Sequence, residues 1–303
     1  MNLTSLPLQG RTCVIKGATS GIGRATAIAL STAGANLILV GRRESIGTQL
    51  AAQLRRRPGP GWAEFFRADI SDQQQVRELA SRISARQSHI DILINNAGAR
   101  FNTFRRAPDG LELTFATNYL GHFLLTCLIL KSLLQAPSAR VITLGSGAHS
   151  GATVDDTWWL DAGTYDRKLA YAKSKLANIV FSYELARRLR PTRVTSNAVD
   201  PGGVATNLGR NNGLLSWCRH LAFYALKGKL LFPRRGADTV IHLALDPALD
   251  GVSGLYYYKK QAIHSSAASQ NVEVAAKLWS RSIALTKLGP QMGSAWEWIN
   301  PEA

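Results

Sequence analysis

Two hydrophobic patterns alternate along the chain: short unbroken apolar runs, and longer stretches whose apolar positions recur every three to four residues. The first reads as strand covered on both faces, the second as helix lying on such a sheet. Runs of strand character fall at 12–15, 37–40, 64–67, 92–94, 141–144, 194–198 and 254–257. The alternation continues to about residue 288 with no Pro/Ser-rich linker and no internal repeat, and Pro58-Gly59-Pro60-Gly61 marks the clearest loop. Strands alternating with helices predict an α/β fold: a doubly wound, mostly parallel, seven-stranded sheet with helices on both faces. The whole of 1–303 is expected to be one domain, with a loop and helix insertion at about 207–233 and a C-terminal extension at about 262–303.

Composition narrows the function classes. With 303 residues and 46% hydrophobic content, the chain can fill a substantial core. Its 36 Lys and Arg against 20 Asp and Glu give a formal net charge of +16, so an anionic partner has to be considered. The basic residues, however, lie in scattered pairs and triplets such as Arg42-Arg43, Arg55-Arg56-Arg57 and Lys259-Lys260. Without a binding motif or interleaved aromatics they read as solvated faces, and no nucleic-acid partner is expected. Cys13, Cys127 and Cys218 are odd in number and widely spaced, which fits neither a disulfide framework nor a metal site. An intracellular, cytoplasmic protein is expected, because residues 1–10 lack a signal-peptide pattern. The apolar-leaning stretch 214–232 is broken by Arg219, His220, Lys227 and Lys229, which argues against a membrane span and leaves peripheral membrane contact open.

The chemistry-bearing residues sit where such a sheet ends. After the first strand run comes Gly17-Ala18-Thr19-Ser20-Gly21-Ile22-Gly23, then a helical run. Glycines at that turn let the backbone approach a pyrophosphate seated on the helix N-terminus, so the sheet is expected to be Rossmann-like. The second run ends in Val40-Gly41-Arg42-Arg43 with no carboxylate to hold ribose hydroxyls. A guanidinium there can pair with a 2′-phosphate, so Arg42 favours NADP(H) over NAD(H). Tyr171 and Lys175 are four apart in a helical stretch and share a face, where the ammonium can lower the phenol's pKa and make it a general acid or base. Tyr256 and Lys260 repeat the spacing, but in a β-like run four residues span about 13 Å, too far for that pairing. Ser146, just past the fifth run, lies at the carboxyl end of the sheet, where a hydroxyl can donate to a developing alkoxide.

In order, Gly17…Gly21-Ile22-Gly23, Asp69-Ile70, Asn95-Asn96-Ala97-Gly98, Asn118, Ser146, Tyr171…Lys175 and Pro201-Gly202…Thr206 resemble the short-chain dehydrogenase/reductase family over roughly residues 10–260. The resemblance implies that Tyr171 donates the proton in carbonyl reduction, that Lys175 lowers its pKa and holds the nicotinamide ribose, and that Ser146 polarises the carbonyl. It also implies that Asn118 helps hold a water in the proton relay. Cofactor contacts carry over to Gly17, Ser20, Gly21, Ile22 and Gly23, to Asp69 and Ile70 near the adenine, to Asn96 and Ala97 near the ribose, and to Pro201, Gly202, Val204 and Thr206 beside the nicotinamide. Two departures stand out: Lys16 in place of the usual threonine before the first glycine, and Gly145 in place of the serine often found before the catalytic one. Around Tyr165-Asp166-Arg167 to Asn178 and Gly251 to Tyr257, the pattern resembles the retinol dehydrogenase-like branch.

The expected protein is therefore an oxidoreductase that transfers a hydride between NADP(H) and a small-molecule carbonyl or alcohol of apolar character, with no metal and with homo-oligomerisation left open. Trp158-Trp159-Leu160 and the stretch 214–232 flank the expected site and are candidates for an apolar substrate wall or for ordinary core. The alternative function is a catalytically silent NADP(H)-binding regulatory or scaffold protein, since a fold permits either.

Overall fold

The computed structural model describes residues 6–57, 59–153, 157–204, 212–213 and 232–300. The sheet is built from β1 (Thr12–Lys16), β2 (Asn36–Gly41), β3 (Ala63–Arg67), β4 (Ile92–Asn95), β5 (Ala139–Leu144), β6 (Val194–Asp200), β7 (Tyr256–Tyr258) and β8 (Gln261–Ile263). Their order is β3-β2-β1-β4-β5-β6-β7-β8, parallel throughout except for the β7–β8 pair. The sequence pattern predicts seven strands; the eighth is the departure. All three β8 residues are exposed and no apolar run marks them. The turn joining β7 to β8 is Lys259-Lys260 with φ of 49° and 66°. A two-residue hairpin turn of type I′ needs positive φ at both positions and usually announces itself by Asn-Gly or Asp-Gly; two lysines give no such signal.

Alternation along each strand divides the interior into two layers. Val14 and Ile38 point to one face, with Val76 and Leu79 of α3 (Gln73–Arg86), Leu125 of α5 (Gly121–Leu128) and Leu176 and Val180 of α7 (Arg167–Arg188). Cys13, Ile15, Leu37 and Leu39 point to the other, with Ala27 and Leu30 of α1 (Gly21–Thr32), Leu50 and Leu54 of α2 (Glu44–Arg55) and Val240 and Leu243 of α8 (Pro233–Leu245). Every residue of β1 is buried, as expected of a strand with helices on both faces. Between α3 and α7 the chain also forms α4 (Leu113–Phe115), a π-helical turn at Ala116–Leu120 and α6 (Leu130–Leu134). After β8 come α9 (Ala267–Gln270) and α10 (Val272–Thr286), and Trp279 of α10 stacks on Phe181 of α7 at 5.9 Å.

This topology fixes where a ligand can sit. From β1 the chain winds outward through β2 and β3, then returns to place β4 on β1's other side. At such a switch point the loops leaving β1 and β4 diverge and open a crevice beyond the strands' carboxyl ends. Asn96 spans its floor, its Nδ2 donating to the carbonyls of Lys16 (2.9 Å) and Gly17 (3.1 Å).

Candidate active site

A cleft of about 1400 Å³ runs along the carboxyl ends of the strands. Its lining includes Gly17, Ser20, Gly21, Ile22, Arg42, Asp69, Ile70, Asn96, Ala97, Ser146, Tyr171, Lys175, Pro201, Gly202 and Val204, all of them expected from sequence. Gly23 and Asn118 lie behind the lining, and Thr206 lies outside the described residues.

At one end the glycine turn forms a cradle. Gly17 has φ of 75°, and a Cβ there would meet the Cα of Ala97 at 2.8 Å. A Cβ on Gly23 would sit 2.4 Å from the Gly17 carbonyl, so only glycine lets α1 start this close to β1. The first turn of α1 has no acidic residue, and its N-cap Ser20 makes no side-chain cap. The helix therefore presents N–H groups and the positive end of its dipole to the cleft, an arrangement that fits a pyrophosphate. Arg42, at the end of β2, is half-exposed and 3.6 Å from the Asp69 carboxylate. Lys16 does not serve the cradle. Fully buried between β1 and α5, it donates to the His122 carbonyl at 3.4 Å, and burial pulls its amine's pKa well below the ordinary lysine value.

At the other end, α7 starts cleanly because the Asp166 carboxylate caps it, accepting from Lys168 and Leu169 N–H at 2.8 and 2.7 Å. One turn in, the helix presents Tyr171, with the Lys175 ammonium 5.8 Å from its ring centroid. Lys175 is buried and donates to the Leu144 carbonyl at 2.9 Å, a bond that Asn178 doubles at 3.0 Å. These bonds tie α7 to the end of β5, two residues before Ser146. Burial pulls the Lys175 pKa down to about 8, against the opposing pull of the Asp200 carboxylate. Ser146 is half-buried, and its Oγ accepts from Ala148 N–H at 3.2 Å, which leaves the hydroxyl proton available to a substrate oxygen.

Asn118 sits in the π-helical turn, fully buried. Its Oδ1 accepts from Ala99 N–H at 2.7 Å, and its Nδ2 donates to Ala99 O and Ser174 Oγ, both at 2.9 Å. It thereby holds the wall after β4 and the start of α7 together from behind; π-turns inside helices often mark such functional positions.

The apolar wall is a correction for Trp158 and Leu160: both are buried among core residues and neither lines the cleft, while Trp159 packs on Phe115 with ring centroids 5.4 Å apart. Residues 214–231 of the other candidate wall lie outside the described residues, and Phe232 is exposed. The rim that is described carries Arg100, Asn102, Arg167 and Lys168. Sequence reading missed three residues packed around the turn that carries Ser146: His149 on the Ser146 carbonyl, Asp200 beside Gly147, and the ring of Tyr256 beside Gly145. A Cβ at Gly145 would meet Ile179 at 3.0 Å and Tyr256 at 3.3 Å, which accounts for glycine where serine is usual. Only a register argument linking β5, β6 and β7 could have brought these residues together.

Comparison with known proteins agrees with this geometry. The short chain dehydrogenase family profile matches residues 11–214. The chain belongs to the short-chain dehydrogenase family. Human retinol dehydrogenase 11 is 34% identical over 94% of this chain and 88% of its own length, so the likeness to the retinol dehydrogenase branch extends over nearly the whole chain. A solved structure from Mycobacterium Paratuberculosis is 30% identical with a TM-score of 0.73, covering 93% of this chain and 96% of that one. Another, described as an NAD(P)-dependent gluconate 5-dehydrogenase from Beutenbergia cavernae and holding NADP at low occupancy, is 25% identical with a TM-score of 0.65 over 83% of this chain and 96% of its own. As a family member this chain is an oxidoreductase with a Rossmann-like fold and a nicotinamide cofactor. Among the described residues, no helix is long and apolar enough to cross a membrane.

Proposed function

We propose that the protein transfers a hydride between NADP(H) and an apolar carbonyl or alcohol, with Tyr171 as general acid in reduction and general base in oxidation. The observation that carries this reading is the convergence of Tyr171, Lys175 and Ser146 at one end of a cleft whose other end is the glycine cradle. Gly17, Ser20, Gly21 and Ile22 would hold the pyrophosphate, Asp69 and Ile70 the adenine side, Asn96, Ala97, Tyr171 and Lys175 the ribose side, and Pro201, Gly202 and Val204 the nicotinamide. Bound there, the nicotinamide supplies or accepts the hydride. Ser146 donates its hydroxyl proton to the substrate oxygen and polarises the carbonyl, and Tyr171 passes its phenolic proton to the same oxygen as charge develops. The Lys175 ammonium stabilises the resulting phenolate, so that Tyr171 gives up its proton more readily. Asn118 keeps Ala99 and Ser174 in register behind the pair.

The cofactor preference rests on Arg42. No carboxylate stands at the end of β2 to oppose a phosphate, and the ion pair with Asp69 is solvated enough to be exchanged for one. The apolar substrate class rests on the retinol dehydrogenase likeness, since the tryptophans of 158–160 do not line the cleft.

The test is a screen of carbonyls and alcohols with NADPH and NADH run in parallel, followed by the absorbance of the reduced nicotinamide. NADPH is expected to win by at least about tenfold in kcat/KM, and Arg42→Asp to erase or reverse that margin, because one charged hydrogen bond is worth a factor of that size. Equal kcat/KM for the two cofactors would overturn the NADP(H) assignment. A short polar hydroxy acid turned over faster than every medium-chain or aromatic carbonyl would overturn the apolar one. Tight NADPH binding with no turnover of any substrate would favour the silent binding protein.

A further inference from the structure

His149 lies three residues beyond Ser146, in the 3-10 turn Gly147–Gly151, and is buried, with 3% of its surface exposed. Both ring nitrogens are engaged. The backbone N–H of Ser266 donates to Nε2 at 3.1 Å, so that nitrogen carries no proton. In a neutral imidazole the proton then resides on Nδ1, which stands 2.7 Å from the Ser146 carbonyl and donates to it. The same carbonyl also accepts from the backbone N–H of His149 at 3.1 Å. The edge of the ring meets Tyr256, with centroids 5.3 Å apart and planes at 73°.

The far side of this link is itself anchored. Ser265, next to the donor, shares a 2.7 Å hydrogen bond with the hydroxyl of Tyr183 on α7, the helix that carries Tyr171. Ser269 Oγ stands 2.6 Å from both Ser265 Oγ and the Ser266 carbonyl, its one proton serving a single acceptor at a time, and so closes the segment on itself. Ser146 and Tyr171 are therefore joined by two braces. The inner one is Lys175 and Asn178 on the Leu144 carbonyl; the outer one runs from Tyr183 through Ser265 and Ser266 to His149 and the Ser146 carbonyl.

We propose that His149 is a positioning residue for Ser146, through which the segment after β8 sets the distance between the Ser146 hydroxyl and the Tyr171 phenol. The inference deepens the catalytic reading above and rests on it. A substrate oxygen has to meet both hydroxyls at hydrogen-bond range, and a displacement of about 1 Å in such a geometry costs on the order of a hundredfold in rate. Nothing in this arrangement touches the glycine cradle or Arg42, so the loss of the outer brace affects turnover and leaves cofactor affinity alone.

The experiment uses the full chain, NADPH and the best carbonyl from the screen. His149→Phe keeps the ring's bulk and removes both hydrogen bonds; kcat is expected to fall about ten- to a hundredfold while the Kd for NADPH stays within about twofold. His149→Asn places an amide donor where Nδ1 stands and is expected to recover most of that loss. His149→Gln can accept from Ser266 but places no donor on the Ser146 carbonyl, so it is expected to behave like His149→Phe, and it decides the matter if the phenylalanine variant does not fold. In a Ser146→Ala background, His149→Phe is expected to cost no more than about a further twofold, because residues acting through one group are not additive. Additive losses, NADPH affinity falling in step with kcat, or asparagine no better than phenylalanine would each overturn the inference while leaving the catalytic reading standing. Full activity in Ser146→Ala would overturn the catalytic reading and this inference with it.

Discussion

The chain contains the same five-residue spacing, tyrosine then lysine four positions on, at 171–175 and at 256–260. On α7 the spacing completes about one helical turn and puts both side chains on one face, with Lys175 Nζ 5.8 Å from the Tyr171 ring centroid. At the second copy, Tyr256 is buried in β7 and Lys260 lies past the strand's end, exposed in a turn at φ of 66°. The helix turns a spacing into a pair, and the strand and its hairpin turn it into two unrelated residues. Yet Tyr256 is not remote. Its ring packs where a Cβ on Gly145 would go and edge-on to His149, and burial, with Asp200 nearby, pushes its pKa far up. One tyrosine faces the cleft beside a lysine; the other backs the serine loop, where burial and a nearby carboxylate both disfavour its ionisation.

The sharpest way to break that contrast is Tyr171→Phe, which removes the proton and keeps the ring. Turnover is expected to fall by about 10²–10⁴-fold, the usual cost of a missing general acid, with NADPH binding by fluorescence largely retained. Lys175→Ala comes next and should damage both turnover and NADPH affinity, because the ammonium is assigned to the phenol and to the ribose. Its titration gives a further handle. Burial lowers the Lys175 pKa to about 8, so the ammonium is present below that pH and is lost as pH rises through it. For carbonyl reduction, kcat/KM is therefore expected to hold at low pH and to decline with a midpoint near pH 8, since this ratio reports the free enzyme. Lys175→Arg, whose guanidinium does not titrate in that range, should remove the decline. A profile that descends identically in both proteins would detach the limb from Lys175.

How legible all this was in the sequence depended on whether the signal was local. The parallel strands were readable because several of them, β1, β2, β4 and β5 above all, are largely apolar runs buried on both faces, and the glycine turn because it falls directly after the first of them. Arg42, Ser146 and the Tyr171 pair were readable for the same reason: each is defined by its place at a strand end or on one helix. The eighth strand was not, because Gln261, Ala262 and Ile263 are exposed and their turn lacks glycine or asparagine. Nor was the brace on Ser146, since His149 and Ser266 are separated by 117 residues and meet only once β7, β8 and α7 have placed the C-terminal segment. Trp158 could not be decided from sequence, because a bulky apolar residue near a site can equally well be wall or core; it is buried with α3 and α7 residues.

The smallest expected effect completes the comparison. The Tyr256 hydroxyl is buried beside the Asp200 carboxylate but makes no hydrogen bond of ordinary geometry among the described residues, so Tyr256→Phe removes a poorly satisfied group and keeps the ring that fills the space behind Gly145. Deleting an unpaired buried polar group is close to neutral or mildly stabilising. Turnover is therefore expected to stay within about threefold of the unmodified protein, and Tm to hold or rise slightly. Tyr256→Ala should part company with it, since losing the whole ring leaves a cavity of the kind that costs about 3–5 kcal/mol for a large aromatic and removes the surface against which His149 packs. The pair of measurements, thermal melts and kcat for both variants, separates ring from hydroxyl. If Tyr256→Phe lost activity on the scale of Tyr171→Phe, the second tyrosine would be doing chemistry after all, and the distinction drawn from helix and strand geometry would fail at the point where it was applied most directly.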